Sequence, residues 1–146
     1  MSCIFCKIAD GEIASATIYE DDEFRVILDL GPATKGHALI LPKTHYADLY
    51  EIPADLAGKA MILAKQMVKV MTEALPCEGN NLVQKNGEVA GQTVFHFHMH
   101  LIPRYLNAKN NDILNWSHET FSPEEMALDG KRELLSDTTW MSRLIL

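Results

Sequence analysis

Three histidines at every second position, His96, His98 and His100, are the densest concentration of chemistry in this 146-residue chain. They are half of its six imidazoles, and they alternate with Phe95, Phe97, Met99 and Leu101. Extended backbone sends alternate side chains to opposite faces, with i and i+2 about 7 Å apart. The stretch therefore predicts a strand with a core face (Phe95, Phe97, Met99, Leu101) and a chemical face made of the three imidazoles. A single strand histidine is ordinarily structural. Three on one face would each need a buried partner, or would repel one another below pH ~6.5. A neutral imidazole is a competent nucleophile near pH 7, and beside phosphate donors it suits attack on phosphorus through a phosphohistidine-type intermediate that water later cleaves. Direct ligation of a catalytic zinc by two or three of the histidines is the alternative, as in a metal-activated hydrolase. Residue types alone permit both.

A second group of reactive side chains opens the chain. Cys3-Ile4-Phe5-Cys6 spaces two thiols so that both can turn onto one tetrahedral ion, which then needs two more ligands. His37, His45, His96, His98, His100 and His118 are the imidazoles on offer. A redox pair or two buried small residues compete with the metal reading. Two further stretches bear on anion and sugar recognition. The loop Lys85 to Thr93 carries Gly87 and Gly91 just before the triad, where glycines let backbone N–H groups converge on an anion and Gln92 and Thr93 add side-chain donors. Asp29 closes an apolar run before Leu30-Gly31-Pro32, a common place for a carboxylate that binds a sugar hydroxyl.

These side chains must be positioned by an ordinary globular scaffold. The chain is 47% hydrophobic and 23% charged, without repeats or low-complexity runs, and its length fits a single domain spanning 1–146. A formal charge of −7 disfavours wide contact with a phosphate backbone, so a nucleic-acid polymer is not an expected partner. The N-terminus lacks the features of a signal peptide and no apolar run is long enough to span a bilayer. The expectation is a cytoplasmic protein with reduced thiols and no membrane association. Thr17–Glu20, the acidic turn Asp21-Asp22 and Phe24–Asp29 predict a β-hairpin, and Gly36–Pro42 a third strand. Leu56, Ala60, Leu63, Ala64, Met67, Met71 and Leu75 recur at 3.6-residue spacing between Pro53 and Pro76, which predicts a long helix across the apolar face of a sheet. Asn80–Gln84 reads as a fourth strand, and Lys7–Ala16 as a mixed segment with a turn at Gly11. Beyond Tyr105 come a polar connection, a short apolar stretch Ile113–Trp116, and a helix from Ser122-Pro123-Glu124-Glu125 to about Leu135, weakened at Gly130. The last residues, Trp140–Leu146, are left without an assigned place.

His96-Phe97-His98-Met99-His100-Leu101-Ile102 matches the signature His-φ-His-φ-His-φ-φ, with φ apolar, and the chain resembles the histidine-triad (HIT) family. Supporting matches are Cys3-Ile4-Phe5-Cys6, Tyr19-Glu20-Asp21, Leu28-Asp29, Gly36-His37, Leu41-Pro42-Lys43-Thr44-His45 and Ala90-Gly91-Gln92-Thr93-Val94. The resemblance covers about residues 3–105, with 106–146 as a C-terminal helical extension. It implies an α+β HIT-like fold, with an antiparallel sheet of about five strands and one long helix packed on it, and a homodimer. It also implies a small-molecule nucleotide substrate, attacked at its α-phosphorus by His98 through a nucleotidyl-histidine to release a nucleoside monophosphate. His100 would assist at the phosphate and His37 would support the site. Gln92 and Thr93 would hold phosphate oxygens, Asp29 the ribose hydroxyls, and Ile8, Ile27 and Leu30 the base. Members with the N-terminal Cys-x-x-Cys are similar to zinc-containing forms, which maps a structural Zn2+ onto Cys3, Cys6, His45 and His96. One departure stands out: many members carry Asn or Gln at Lys85, and Lys85 with Asn86 enters the substrate site as a candidate. The competing class is a nucleotide-binding regulatory module with little turnover.

Overall fold

In the computed structural model, residues 3–108 and 118–135 are described, and the chain forms two compact units, Met1–Asn111 and Asp112–Leu146. The first unit runs α1 (Ile4–Ala9), β1 (Thr17–Glu20), β2 (Phe24–Leu28), β3 (Ala38–Pro42), α2 (Ala54–Ala74), β4 (Gly79–Gln84), a short 3₁₀ turn (Glu88–Ala90) and β5 (Met99–Arg104). Its five strands form one antiparallel sheet in the order β1-β2-β3-β5-β4, so this is an α+β fold as expected.

The hairpin β1–β2 is closed by Asp21, whose Oδ1 accepts the backbone N–H groups of Glu23 (2.8 Å) and Phe24 (2.7 Å) and whose Oδ2 accepts the Tyr19 hydroxyl. An Asp that bonds the backbone ahead of it is what turns the chain here. Helix α2 buries Ala60, Leu63, Ala64, Met67 and Met71, the expected stripe, against Phe24, Val26, Ala38, Ile40, Met99 and Leu101 on one sheet face. Each fully buried aliphatic side chain contributes about 1.5–3 kcal/mol, so this layer carries most of the stability.

The opposite face is where sequence reading fell short. Lys7–Ala16 reads as a mixed segment with a turn at Gly11, and the turn is there, but α1 extends to Ala9 and buries Ile8 against Ile27, Leu39 and Leu41, with Phe5 packed on that cluster. Six residues are too few to show a helical period. The Arg25 guanidinium fastens this helix to the sheet, donating to the Ile8 carbonyl and, at 2.8 Å, to Glu20. The Cys-x-x-Cys segment is thereby held on the histidine side of the sheet.

The triad strand also differs in detail. Strand β5 begins only at Met99, and the residues before it bend at Val94–His96 and are not paired in the sheet. Phe97, Met99 and Leu101 fill the α2 face as expected, whereas Phe95 is 50% exposed. Alternation holds only where the backbone is strand-like, and the bend at Val94–His96 ends it. The third cysteine, Cys77, is buried, and among the described residues no helix is long and apolar enough to cross a membrane.

In the second unit, α3 (Pro123–Leu135) starts with a reciprocal capping box. The Ser122 hydroxyl accepts the Glu125 N–H (3.2 Å) and the Glu125 carboxylate accepts the Ser122 N–H (2.8 Å). The helix reaches Leu135 as expected and runs through Gly130 without interruption. Ile113–Trp116, Trp140–Leu146 and most of the polar connection lie outside the described residues.

Candidate functional site

The histidine face resolves into two clusters with the reactive strand between them. In the first, Cys3, at the start of α1, and Cys6, within it, meet His45 from the turn after β3 and His96 from the segment before β5. Cys3 Sγ lies 3.5 Å from His96 Nδ1, and Cys6 Sγ lies 3.3 Å from His45 Nδ1 and 3.5 Å from His96 Nδ1. The two imidazole Nδ1 atoms are 3.2 Å apart. Zinc bonds of about 2.05 Å to nitrogen and 2.3 Å to sulfur at tetrahedral angles place ligand pairs about 3.3 Å (N···N) and 3.6 Å (S···N) apart. The donor atoms already stand at those separations. The His96 ring is oriented for this role: its Nε2 lies 2.8 Å from the Pro42 carbonyl, which only accepts, so Nε2 carries the proton and Nδ1 presents its lone pair. A backbone bond from the Phe97 N–H to the Tyr46 carbonyl at 2.6 Å ties the His45 turn to the triad segment. Burial, then the hydrogen bond and charge of Cys3, push the Cys6 thiol up to about 11. A bound cation would reverse that preference and release protons. Residue types, distances and ring orientation all fit a Cys2His2 metal site.

The second cluster has similar atoms and opposite wiring. Asp29 at the end of β2, His37 at the entry to β3 and His100 in β5 bring their polar atoms together. The Ala33 N–H donates to His37 Nδ1 (3.0 Å), so the neutral His37 carries its proton on Nε2. That proton faces His100 Nδ1 at 2.9 Å, which leaves the His100 proton on Nε2. Asp29 Oδ2 stands 3.5 Å from His37 Nε2 and 4.0 Å from His100 Nδ1, and Oδ1 accepts the Gly31 N–H. His37 therefore has no free lone pair for a metal in this wiring. The cluster is a hydrogen-bonded relay that ends in a fixed N–H donor.

Between the clusters sits His98. Its Nδ1 lies 2.7 Å from the His96 carbonyl, so that nitrogen donates and Nε2 holds the lone pair. Phe5 packs edge-on to the ring at 5.0 Å, and the His100 ring lies 5.0 Å away on the other side. Burial lowers the pKa values of His37, His96 and His98 below the ordinary imidazole value. Burial, then His98, His37 and Lys85, pushes His100 down to about 4. Near neutral pH the face is thus uncharged imidazole, and His98 Nε2 is a nucleophile in its reactive form.

The remaining expected residues are placed unevenly. Asp29 joins the relay, and Leu30 beside it is 94% exposed, whereas Ile8 and Ile27 are sealed against Leu39 and Leu41 and do not line an open surface. Gln92, expected to hold phosphate, is 2% exposed, and both of its amide hydrogens are committed. Nε2 donates to the carbonyls of Ala47 (2.7 Å) and Val94 (3.1 Å), and Oε1 accepts the Gly87 N–H (2.8 Å). Gln92 shapes the loop and has no N–H left for a ligand. Asn86 uses its Oδ1 on the Leu49 N–H, while Thr93 is exposed and Lys85 half-buried. His118, the sixth histidine, is exposed in the second unit. Sequence reasoning missed three contributors: the Phe5 ring, the Ala33 N–H and the Pro42 carbonyl. Phe5 was legible as the apolar residue inside Cys-x-x-Cys. The other two are backbone groups, for which residue types carry no signal.

Comparison with known proteins agrees with this geometry. The sequence profile described as "HIT domain" matches residues 10–107. A HIT family protein from Bacillus anthracis has a crystal structure that superposes with a TM-score of 0.84 at 34% identity, covering 93% of this chain and 97% of that one. A Zn-bound histidine triad family protein from Mycobacterium smegmatis aligns with a TM-score of 0.71 at 35% identity, covering 90% and 98%. Adenosine 5'-monophosphoramidase hnt1 of Schizosaccharomyces pombe is 37% identical over 131 residues, 90% of this chain and 95% of its own length. With a profile match over most of its length, two fold-level superpositions and a complete triad, the chain belongs to the HIT family.

Proposed function

We propose that this protein is a hydrolase of nucleoside phosphate derivatives, phosphoramidates or dinucleoside polyphosphates, acting through a nucleotidyl-His98 intermediate. His98 Nε2 forms a bond to the α-phosphorus while the bond to the leaving group breaks, and the leaving group departs with that electron pair. Water then attacks the same phosphorus, the P–N bond breaks with its electrons returning to Nε2, and a nucleoside monophosphate leaves. The proton gained by the leaving amine, alcohol or phosphate is balanced by the one that water gives up. His98 keeps its Nδ1 proton throughout, held on the His96 carbonyl, which stabilises the positive ring of the intermediate. His100 donates from Nε2 to a phosphate oxygen or to the departing atom, and His37 fixes His100 in that tautomer. Asp29 takes the ribose hydroxyls and Leu30 the base.

The observation that carries this reading is the 2.7 Å contact between His98 Nδ1 and the His96 carbonyl, which leaves Nε2 of a neutral ring with its lone pair uncommitted. A monophosphoramidase relative of nearly the same length supports the reaction class. A structural zinc would be held by Cys3, Cys6, His45 and His96. When bound it supplies four covalent anchors for α1 and the triad segment and takes no part in bond exchange. We infer further that two copies associate through the outer edge of β4, which among the described residues pairs only with β5 and exposes Leu82.

His98→Asn should lower turnover of an adenosine phosphoramidate or a dinucleoside polyphosphate by at least about 10³-fold. Wild-type protein quenched during turnover should gain the mass of one nucleotidyl group, absent from the variant. Retained activity in His98→Asn sinks the mechanism. Nucleotide binding with negligible turnover by wild type instead supports a regulatory module.

A further inference from the structure

The half-buried Lys85 follows the last residue of β4 and belongs neither to the metal cluster nor to the relay. The ladder pairs Val83 with His100 and Gln84 with Met99, so continuing the register sets Lys85 across from His98. By alternation, Lys85 shares the face of Val83 and His100. Its stem lies along the bare backbone of Gly91 (φ +80°): a Cβ built there would stand 3.6 Å from Lys85 Nζ and 3.7 Å from Cδ. Among the described residues no carboxylate lies within 4.0 Å of its ammonium, yet its charge acts on His37, His98 and His100. The result is a cation without a carboxylate partner among the described residues, on the strand face that carries His100.

Strand order gives that cation a direction. Reading across β2-β3-β5-β4, Asp29 ends β2, His37 enters β3, His98 and His100 belong to the β5 segment, and Lys85 flanks β4. On the hydrolase reading the leaving group departs opposite His98 Nε2, and with the ribose taken up on the Asp29 side, the Lys85 side is left for an oxyanion that the leaving group carries. We propose that Lys85 is a specificity-determining residue that binds an oxyanion carried by the leaving group, so that substrates departing as a phosphate or sulfate are favoured over those departing as an uncharged amine. The inference rests on the hydrolase reading above and extends it to the substrate class.

The test compares kcat/KM for diadenosine triphosphate, adenosine 5'-phosphosulfate and adenosine 5'-phosphoramidate in wild type, Lys85→Gln and Lys85→Arg. Each protein supplies its own ratio of anionic to neutral leaving group, so incomplete folding of a variant cancels. The expected result is a fall of about 10-fold or more in that ratio for Lys85→Gln, with substantial recovery in Lys85→Arg. A fall confined to the triphosphate assigns the oxyanion to a polyphosphate chain, a fall confined to the phosphosulfate assigns it to sulfate, and a fall in both supports oxyanion recognition in general. Equal loss on all three substrates, or no change in the ratio, overturns the inference while leaving the hydrolase intact. Wild-type protein that turns over none of them overturns both.

Discussion

Single hydrogen bonds to backbone carbonyls and amides decide what each histidine does. The Pro42 carbonyl turns the His96 lone pair toward two thiols, the His96 carbonyl leaves that of His98 on Nε2, and the Ala33 N–H converts His37 and then His100 into donors. Residue types showed that the region was reactive. They did not show this division, because imidazole is chemically symmetric until a neighbour chooses its tautomer. The relay also makes stability depend on pH. In the unfolded chain His37 and His100 titrate near 6.5, and in the fold both are lowered, His100 to about 4. From about pH 6.5 down toward 4 the unfolded state therefore binds more protons, and stability is lost as the pH falls through that window. Thermal unfolding followed at pH 7, 6 and 5 should show a steadily falling midpoint, and His100→Gln should flatten that dependence. An equally steep dependence in the variant would assign the effect to other groups.

Among the elements, the long-period and alternating ones were readable and the short one was not. Helix α2 and the hairpin announce themselves through repeated apolar spacing and turn chemistry, whereas α1 has too few residues for a period and is held by Arg25 and by burial of Ile8. Two glycines make opposite predictions here. Gly36 sits at φ +84° just before His37, and a Cβ there would come within 2.5 Å of Leu75 Cδ1. Gly36→Ala should cost about 1–2 kcal/mol and slow turnover by disturbing the approach to His37. Gly58 lies inside α2 with nothing within 4 Å of a built Cβ, so Gly58→Ala should stabilise by about 0.5–1 kcal/mol without altering kcat. Urea unfolding beside steady-state kinetics separates the two. A Gly36→Ala variant as stable as wild type would mean that neither the positive φ nor the approach to Leu75 constrains this position.

On the scale of the whole molecule, two layers stabilise the sheet on opposite faces: a large apolar one under α2 and a small one where α1, the sheet and the cluster of Cys3, Cys6, His45 and His96 meet. The first was legible in composition and period. The second brings together residues as far apart as Cys3 and His96, and only the resemblance to a family linked them beforehand. If the second layer relies on a structural ion, chelation or Cys6→Ser should lower the melting temperature by about 5 °C or more, and metal analysis of wild type should return one zinc per chain. Activity measured at a temperature where the stripped protein is still folded should persist, and its immediate loss would point to metal in the reaction itself. From residue 96 to 101 the segment also carries a parity code. Even-numbered residues go to chemistry and odd-numbered ones to the α2 core, with Phe97, Met99 and Leu101 buried there. A point substitution alters one symbol of that code. A single inserted or deleted residue inverts all that follow, sending imidazoles into the core and core residues onto the reactive face, so evolution can vary the letters of this segment but not its length.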